Sequence, residues 1–209
     1  MTRTMTPACL MALFALGGCL PRQDGANPQG GPRFASRQDL DPTKIRHLEA
    51  RLVLAGTEVP VTLEPQIQGS EFNLLIRAKG AVMETERYQV NDQTFAFVGG
   101  TGEEFVPPIP ILRFPLEVGE KWTWTGVAAL GPVKKKANAD VTTGLETLNI
   151  VSGVSDSVVV TVDLSIEAQP GLPAARRLRF WIDPKDGLVK RDFAHNSLRE
   201  PRPKSDEGT

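Results

Sequence analysis

Apolar and polar side chains alternate with a period of two through most of the chain after residue 45. A half-buried antiparallel strand needs this pattern, because successive side chains point to opposite faces of a sheet. The same alternation recurs in 71–78, 121–126 and 175–183, with turn residues between the runs. We therefore expect nine or ten strands joined mostly by short turns. The clearest apolar face consists of Val158, Val160, Val162, Leu164 and Ile166.

The segment 43–54 fits two patterns. Ile45, Leu48 and Leu52 have helical spacing, but the same segment also alternates from Leu48 to Leu54. We favour a strand, because the following AGTE at 55–58 then makes a hairpin into the next apolar run. The chain shows no second long helical pattern. The predicted fold is all-β, an antiparallel curved sheet or half-barrel.

The two ends of the chain lack periodicity. Residues 20–43 are rich in proline, glycine and polar groups, which is typical of a flexible tether. We divide the chain into a signal peptide at 1–18, a lipidated tether at 19–44, a β domain at 45–195 and a disordered tail at 196–209. The proline-rich run at 106–115 cannot be a central strand, and we expect an extended connector there.

The first residues resemble an export signal. Arg3 precedes an apolar run at 8–18, which is well short of the roughly 20 residues of a membrane-spanning helix. The run ends Leu16-Gly17-Gly18-Cys19, which resembles the lipobox of bacterial lipoproteins. This resemblance implies cleavage before Cys19 and acylation of that residue. An ordinary signal peptide with a chance cysteine is the alternative.

The resemblance also implies a location. Leu20 follows the cysteine, so the aspartate of the usual inner-membrane retention signal is missing. We therefore expect a protein of the cell envelope, anchored by lipid to the outer membrane and facing the periplasm. Several acyl chains would hold it firmly, since one chain alone binds a membrane only marginally.

Composition argues against several classes of function. The 24 basic and 25 acidic side chains give a net charge of −1, which argues against a nucleic-acid partner. The cysteines are Cys9 and Cys19, so a chain lipidated at Cys19 keeps no free thiol, disulfide or cysteine metal site. We predict no cofactor and no metal site.

Catalytic motifs are missing as well. The two histidines, His47 and His195, lie near the ends of the predicted domain, where we expect surface or strand-edge positions. The common hydrolase, metalloprotease and phosphate-binding signatures do not occur. GGTGEEF at 99–105 is expected to be a glycine-rich hairpin turn. We predict a protein that is not an enzyme, although a triad assembled in space is an open alternative.

Three consecutive lysines, Lys134, Lys135 and Lys136, suggest a solvated loop between strands. The alternative is contact with an anionic surface, where each lysine contributes about 1 kcal/mol. That surface would be anionic lipid or the phosphates of lipopolysaccharide.

Two motifs carry a further resemblance. FPLEVGEKWTWTG at 114–126 is similar to a run in uncharacterised envelope lipoproteins, and LRFWIDPKDGLVKRDF at 178–193 is similar to a strand-turn-strand unit of LolA/LolB/RseB-like domains. That family has a strongly curved antiparallel sheet whose concave face holds helices or acyl chains. The helices of LolA have no counterpart here, so transfer of lipoproteins is not carried over.

Two functions follow from these motifs. In the first, the concave face binds a lipid or another apolar ligand, and Trp122 and Trp124 line the cavity. In the second, both tryptophans fill the core, and the domain is a structural or protein-interaction module of the envelope. An apolar cavity would distinguish the first from the second.

Overall fold

The computed structural model describes residues 31–169 and 172–201. The predicted signal peptide, residues 19–30 of the predicted tether (Cys19 among them) and residues 202–209 lie outside this part of the chain. The described residues form strands connected by turns, and none of them builds a helix long and apolar enough to cross a bilayer. The strands are β1 (Arg33–Phe34), β2 (Glu49–Leu54), β3 (Thr57–Gln68), β4 (Glu71–Ala78), β5 (Ala81–Val90), β6 (Thr94–Gly99), β7 (Glu103–Val106), β8 (Ile109–Arg113), β9 (Leu116–Glu117), β10 (Lys121–Leu130), β11 (Val133–Ile150), β12 (Gly153–Gln169), β13 (Leu172–Asp183), β14 (Gly187–Asp192) and β15 (Asn196–Arg199).

One antiparallel sheet dominates the fold. Its thirteen strands follow the order β7-β10-β11-β12-β13-β14-β15-β2-β3-β4-β5-β6-β8, while β1 and β9 pair separately. Strands far apart in this order face each other, since the rings of Phe97 on β6 and Phe180 on β13 are 5.6 Å apart. The sheet therefore curls into a nearly closed barrel, and the predicted all-β curved sheet is confirmed.

The interior of the barrel is filled with side chains. The five apolar residues of β12 that define the predicted inner face are all buried in one continuous core. Full burial of a phenylalanine side chain stabilises the fold by about 1.5–3 kcal/mol. The aromatic residues that meet in the interior are Phe72, Tyr88, Phe95, Phe97, Phe105, Phe180 and Phe193.

Segment 43–54 contains a strand and no helix. Strand β2 occupies its second half and turns at Ala55-Gly56 into β3, as the alternating pattern predicts. The described residues hold fifteen strands rather than nine or ten. The additional strands include β1 and β9, which are too short to show a period.

The folded region is larger than residues 45–195. Arg33 pairs with Glu117, and Leu40 is fully buried against the core. At the other end, β15 lies between β14 and β2, where we expected a disordered tail. Its side chains are mostly polar, but its backbone completes two hydrogen-bonded ladders. The backbone hydrogen bonds therefore order β15, although its sequence contains no apolar run.

The proline-rich run forms the seam of the barrel. Strands β7 and β8 are the two edges of the large sheet, and only Pro107-Pro108 joins them. The edge positions of these two strands agree with the expectation that the proline-rich run is not a central strand. The preceding GGTGEEF is a turn but not a hairpin, because β7 pairs with β10 instead of β6. A Cβ on Gly99 would lie 2.1 Å from the Glu103 carbonyl oxygen, so this corner requires glycine.

Candidate functional site

Trp122 and Trp124 lie on the inner face of β10. Both side chains are buried, and their indole N–H groups donate to the carbonyl oxygens of Pro110 and Pro107, at 3.0 Å in each case. A Cβ on Gly126 would lie 2.4 Å from Cζ2 of Trp124, so the packing there is tight. The two tryptophans therefore fill the core and hold the proline-rich seam against β10.

Lys134, Lys135 and Lys136 belong to a strand and not to a loop. They stand on β11 beside the tip of the β10–β11 hairpin, because the ladder continues to the pair Leu130 and Val133. Lys134 and Lys136 are exposed, while Lys135 is partly buried. Leu130 and Val133 are exposed as well, with 42% and 47% of their surface accessible. The hairpin tip thus combines basic and apolar groups.

The grooves on the outside of the barrel are open and charged. One of about 490 Å³ is lined by acidic and basic residues of β2, β3 and β4, among them Arg51, Glu58 and Arg77. Another, of about 450 Å³, lies over β11, β12 and β13 and includes Asp163 and Arg177. Neither tryptophan of β10 lines these two grooves, which combine charged and apolar side chains.

A charged cluster is enclosed in the barrel. The side chains of Arg191 on β14 and Glu86 on β5 are both fully buried, and Nε of the arginine lies 2.5 Å from Oε1 of the glutamate. Nη2 of Arg191 contacts Oε2 of Glu84 at 2.7 Å, and Nη1 donates to Asn196 Oδ1. The Tyr88 hydroxyl donates to Oε2 of Glu86. One guanidinium thus faces two carboxylates.

Burial controls the protonation of this cluster. Removal from water raises the pKa of Glu86, the charge on Arg191 opposes that rise, and the charge on Glu84 adds to it. Burial also raises the pKa of Tyr88 well above its ordinary value. Every polar group named here has a partner, so the cluster links β5 to β14 across the interior.

A second polar cluster lies at one end of the barrel, where residues 41–47 pack against the β13–β14 turn. We call residues 41–47 the arm and this end of the barrel the arm end. A Cβ on Gly187 would lie 2.5 Å from the Lys44 carbonyl oxygen, and the Leu188 N–H donates to the carbonyl oxygen of Pro42. The arm therefore packs directly on the β13–β14 turn, and Gly187 permits that close approach.

The β13–β14 turn buries two carboxylates. Oδ1 of Asp183 accepts the backbone N–H groups of Lys185 and Asp186 at 2.8 and 2.9 Å, which shapes the turn. The hydroxyls of Ser155 and Ser152 donate to Asp183 Oδ2 and Asp186 Oδ2. From the sequence, this DPKDG run is expected to form a turn between two strands. Its aspartates also draw the β11–β12 tip onto the arm end.

Three further groups converge beside this turn. His47 of the arm, Asp186 and Glu200, which follows β15, each place one potential ligand atom within 4.8 Å of the other two. Asp186 is buried, while His47 and Glu200 are partly buried. The Val151 N–H donates to Oε2 of Glu200 at 2.8 Å. Burial raises the pKa of Glu200, and the charges of Asp186 and Asp183 raise it further.

Sequence reasoning missed both clusters. Their members are distant along the chain, as with the 105 residues that separate Arg191 from Glu86. A polar residue in an alternating run does not show whether a side chain on a distant strand will pair with it inside the barrel. His195, by contrast, is exposed in the β14–β15 turn, as expected for a surface histidine.

No protein-family model matches the chain, and no curated protein matches it. The solved structures that it resembles include the hypothetical lipoprotein YmcC from Escherichia coli, with 14% identity and a TM-score of 0.42 over 77% of this chain and 88% of that one. A candidate lipoprotein from Parabacteroides distasonis shares 11% identity with a TM-score of 0.45, over 73% and 91%. A candidate exported protein with a YmcC-like fold from Bacteroides fragilis shares 12% identity with a TM-score of 0.34, over 77% and 97%. Scores this low describe a partial likeness of the chain path and say nothing about activity.

Proposed function

We propose that this chain is a lipid-anchored protein of the bacterial cell envelope, with a β domain that acts as a non-catalytic interaction module. The anchor is supported by the sequence: a short apolar run ends in Leu16-Gly17-Gly18-Cys19 and a polar, proline-rich stretch follows. Leu20 after the cysteine favours the outer membrane, with the domain facing the periplasm. Residues 20–30, which separate Cys19 from the described part of the chain, would act as a tether that lets the barrel stand away from the lipid headgroups.

The filled interior of the barrel favours an interaction module over a lipid carrier. A carrier of acyl chains needs an apolar cavity, usually of several hundred Å³. The inner face of this sheet instead packs its own aromatic rings together, with Tyr88 and Phe95 stacked at 4.8 Å. Trp122 and Trp124 belong to the same core. The geometry therefore supports an interaction module with a filled core better than a lipid carrier.

The β10–β11 hairpin tip is the surface that fits a membrane. Its exposed Lys134 and Lys136 would meet anionic headgroups, and the exposed Leu130 and Val133 flank the turn between the two strands. Lys135 stands between them on the same strand. Contact at this tip would orient the tethered domain on the membrane surface.

Lipidation is tested with the variant Cys19→Ser in growing cells. We expect an uncleaved precursor that takes up no labelled palmitate, whereas the unmodified chain is cleaved and labelled. The change Cys9→Ser is the matched control and should leave both processing and labelling intact. Normal labelling of the Cys19→Ser chain would contradict the anchor.

The filled-core module is tested by native mass spectrometry. The mature chain is purified in a detergent that is removed in the gas phase, and its non-covalent lipids are then extracted. We expect the mass of the acylated chain alone, unchanged after incubation with envelope lipids. A stoichiometric lipid that is lost in a Trp122→Ala or Trp124→Ala variant would overturn the filled-core module in favour of a carrier.

A further inference from the structure

We propose that the arm end holds a binding site for a divalent transition-metal ion, with His47, Asp186 and Glu200 as its protein ligands. The three potential ligand atoms already lie within 4.8 Å of one another. A metal ion with ligands at about 2.0–2.2 Å separates neighbouring ligand atoms by roughly 3.5 Å in a tetrahedral arrangement. Closing the site therefore takes small side-chain rotations, and His47 and Glu200 are only partly buried.

The buried carboxylate of Asp186 provides an independent reason to expect a ligand. Only 2% of this residue is exposed, yet its Oδ1 accepts no hydrogen bond among the described residues. A buried carboxylate oxygen without a hydrogen bond is costly. The salt-bridge contact to Oδ1 comes from Nε of Arg46 at 3.6 Å, and 66% of that arginine side chain is exposed. A coordinated cation would satisfy this oxygen far better.

The charge of the arm end points the same way. Three carboxylates belong to the arm end: Asp183 and Asp186 lie in one turn, and a carboxylate oxygen of Asp186 lies within 4.8 Å of one of Glu200. Burial of like charges at one place is unfavourable unless a cation balances them. Arg46 supplies one positive charge from the rim. A divalent ion would reduce the repulsion that remains among the carboxylates.

The ligand set selects the kind of metal. One imidazole nitrogen with two carboxylate oxygens suits Zn²⁺ and its first-row neighbours, whereas Ca²⁺ and Mg²⁺ prefer oxygen ligands throughout. The surroundings already orient two of the ligands. Ser152 donates to Oδ2 of Asp186, and the Val151 N–H donates to Oε2 of Glu200, so each carboxylate is held through one oxygen and keeps the other available for an ion.

The bound ion would fasten three distant parts of the chain. His47 belongs to the arm, Asp186 to the β13–β14 turn, and Glu200 to the residues after the last strand. Three protein ligands leave one position of a tetrahedral ion open. That position would be filled by water or by a group of a partner that docks at the arm end.

The test is a titration with metal ions. The mature acylated chain in non-ionic detergent is first stripped of metal with EDTA. Calorimetry with ZnCl₂ should show one ion per chain, and the ion should raise Tm. Binding should weaken by at least about tenfold in His47→Ala, in Glu200→Gln and in Asp186→Asn. His195→Ala is the matched histidine control, since that residue lies beyond the other end of β14, and it should bind as the unmodified chain does. Arg46→Ala should bind equally well or more tightly.

Two results would overturn the site. One is the lack of stoichiometric binding of Zn²⁺, Co²⁺, Ni²⁺ or Mn²⁺ up to about 1 mM, a Kd too weak for a built site. The other is binding that His47→Ala and Glu200→Gln leave unchanged. These two residues are partly buried, so their variants keep the test valid even if Asp186→Asn does not fold. The outcome does not depend on acylation of Cys19, because the titration measures binding of the ion by residues of the folded domain.

Discussion

Arg191 Nε and Glu86 Oε1 lie 2.5 Å apart in the interior of the barrel, on strands β14 and β5, and neither side chain reaches solvent. Removal of one partner from such a pair leaves the other charge buried without compensation, which costs about 3–5 kcal/mol. We therefore expect Arg191→Met to lower the free energy of unfolding by about that amount. Urea unfolding of the chain measures it.

A surface pair provides the control for that change. Arg177 and Asp163 lie at a similar distance, 2.6 Å, but both side chains are exposed. Exposed pairs contribute little because water and salt screen them. Arg177→Gln should therefore leave the urea midpoint nearly unchanged. Equal losses in the two variants would show that burial does not govern the Arg191–Glu86 pair.

The same cluster predicts a pH dependence. Burial raises the pKa of Glu86 in the folded chain above its ordinary value of 4.5. Between the ordinary and the raised pKa the folded chain holds a proton that the unfolded chain has lost, so stability falls as pH rises through that interval. Relative to Glu86→Gln, the unmodified chain should lose stability from about pH 4.5 upward. Unfolding curves of both chains at several pH values measure this.

Glu64 supplies a control of opposite sign. The hydrogen bond from Arg77 lowers the pKa of this partly exposed carboxyl below 4.5. Its contribution is present above pH 4.5 and is lost as pH falls through the lowered pKa, so the chain gains stability over Glu64→Gln as pH rises. The effect is small, because solvent screens the pair. The same trend for Glu86 and Glu64 would contradict the assignment.

The packing beside Trp124 predicts a sharp effect of one methyl group. In Gly126→Ala the new Cβ would lie 2.4 Å from the indole and 2.6 Å from the Val106 carbonyl oxygen. We expect a loss of about 1–3 kcal/mol in the free energy of unfolding, because the seam must move. Gly144→Ala on β11 is the control, since its new Cβ meets only a Val159 methyl at 3.4 Å. That change should cost less than about 1 kcal/mol, and equal losses would mean that the seam is loosely packed.

The hairpin tip predicts binding to anionic membranes. In a chain expressed without residues 1–19, which lacks both the apolar run and the acylated cysteine, the double change Lys134→Gln with Lys136→Gln should weaken binding to phosphatidylglycerol vesicles by about 2 kcal/mol. Lys121→Gln, an exposed change at the start of the same hairpin, is the control and should have little effect. Vesicle sedimentation measures the bound fraction. A double variant that binds like the parent would exclude contact through the tip.

Alternation predicts the sheet well because the fold buries one face of nearly every strand. The residues Val158 to Ile166 illustrate this, as the predicted inner face is the observed one. The alternation in 175–183 places Trp181 on the face opposite Phe180, and the structure has it there, in a small outer cluster beneath Arg179 and Lys190. Period and face are local properties, and the sequence displays them directly.

The parts that sequence reasoning missed depend on distant partners. Strand β15 is ordered by ladders to β14 and β2, and Leu40 is ordered by the core that it covers. The charged interior needs Arg191 and Glu86 to meet across the barrel, and a charged residue in an alternating run normally predicts solvent. The arm end has the same character, since His47 gains its neighbours only after the arm packs on the β13–β14 turn.

The pairing of β15 with β2 can form only late in folding. These two strands are neighbours in the sheet, yet Glu49 begins one and Arg199 ends the other, so almost the whole domain separates them in sequence. Contacts of such long range form late, because a large loop must close first. A chain that emerges from a narrow channel with its N-terminus leading cannot close this barrel until its last strand has passed. Until then, β2 presents an unpaired edge for which a folding helper protein, or a second copy of the chain, would compete.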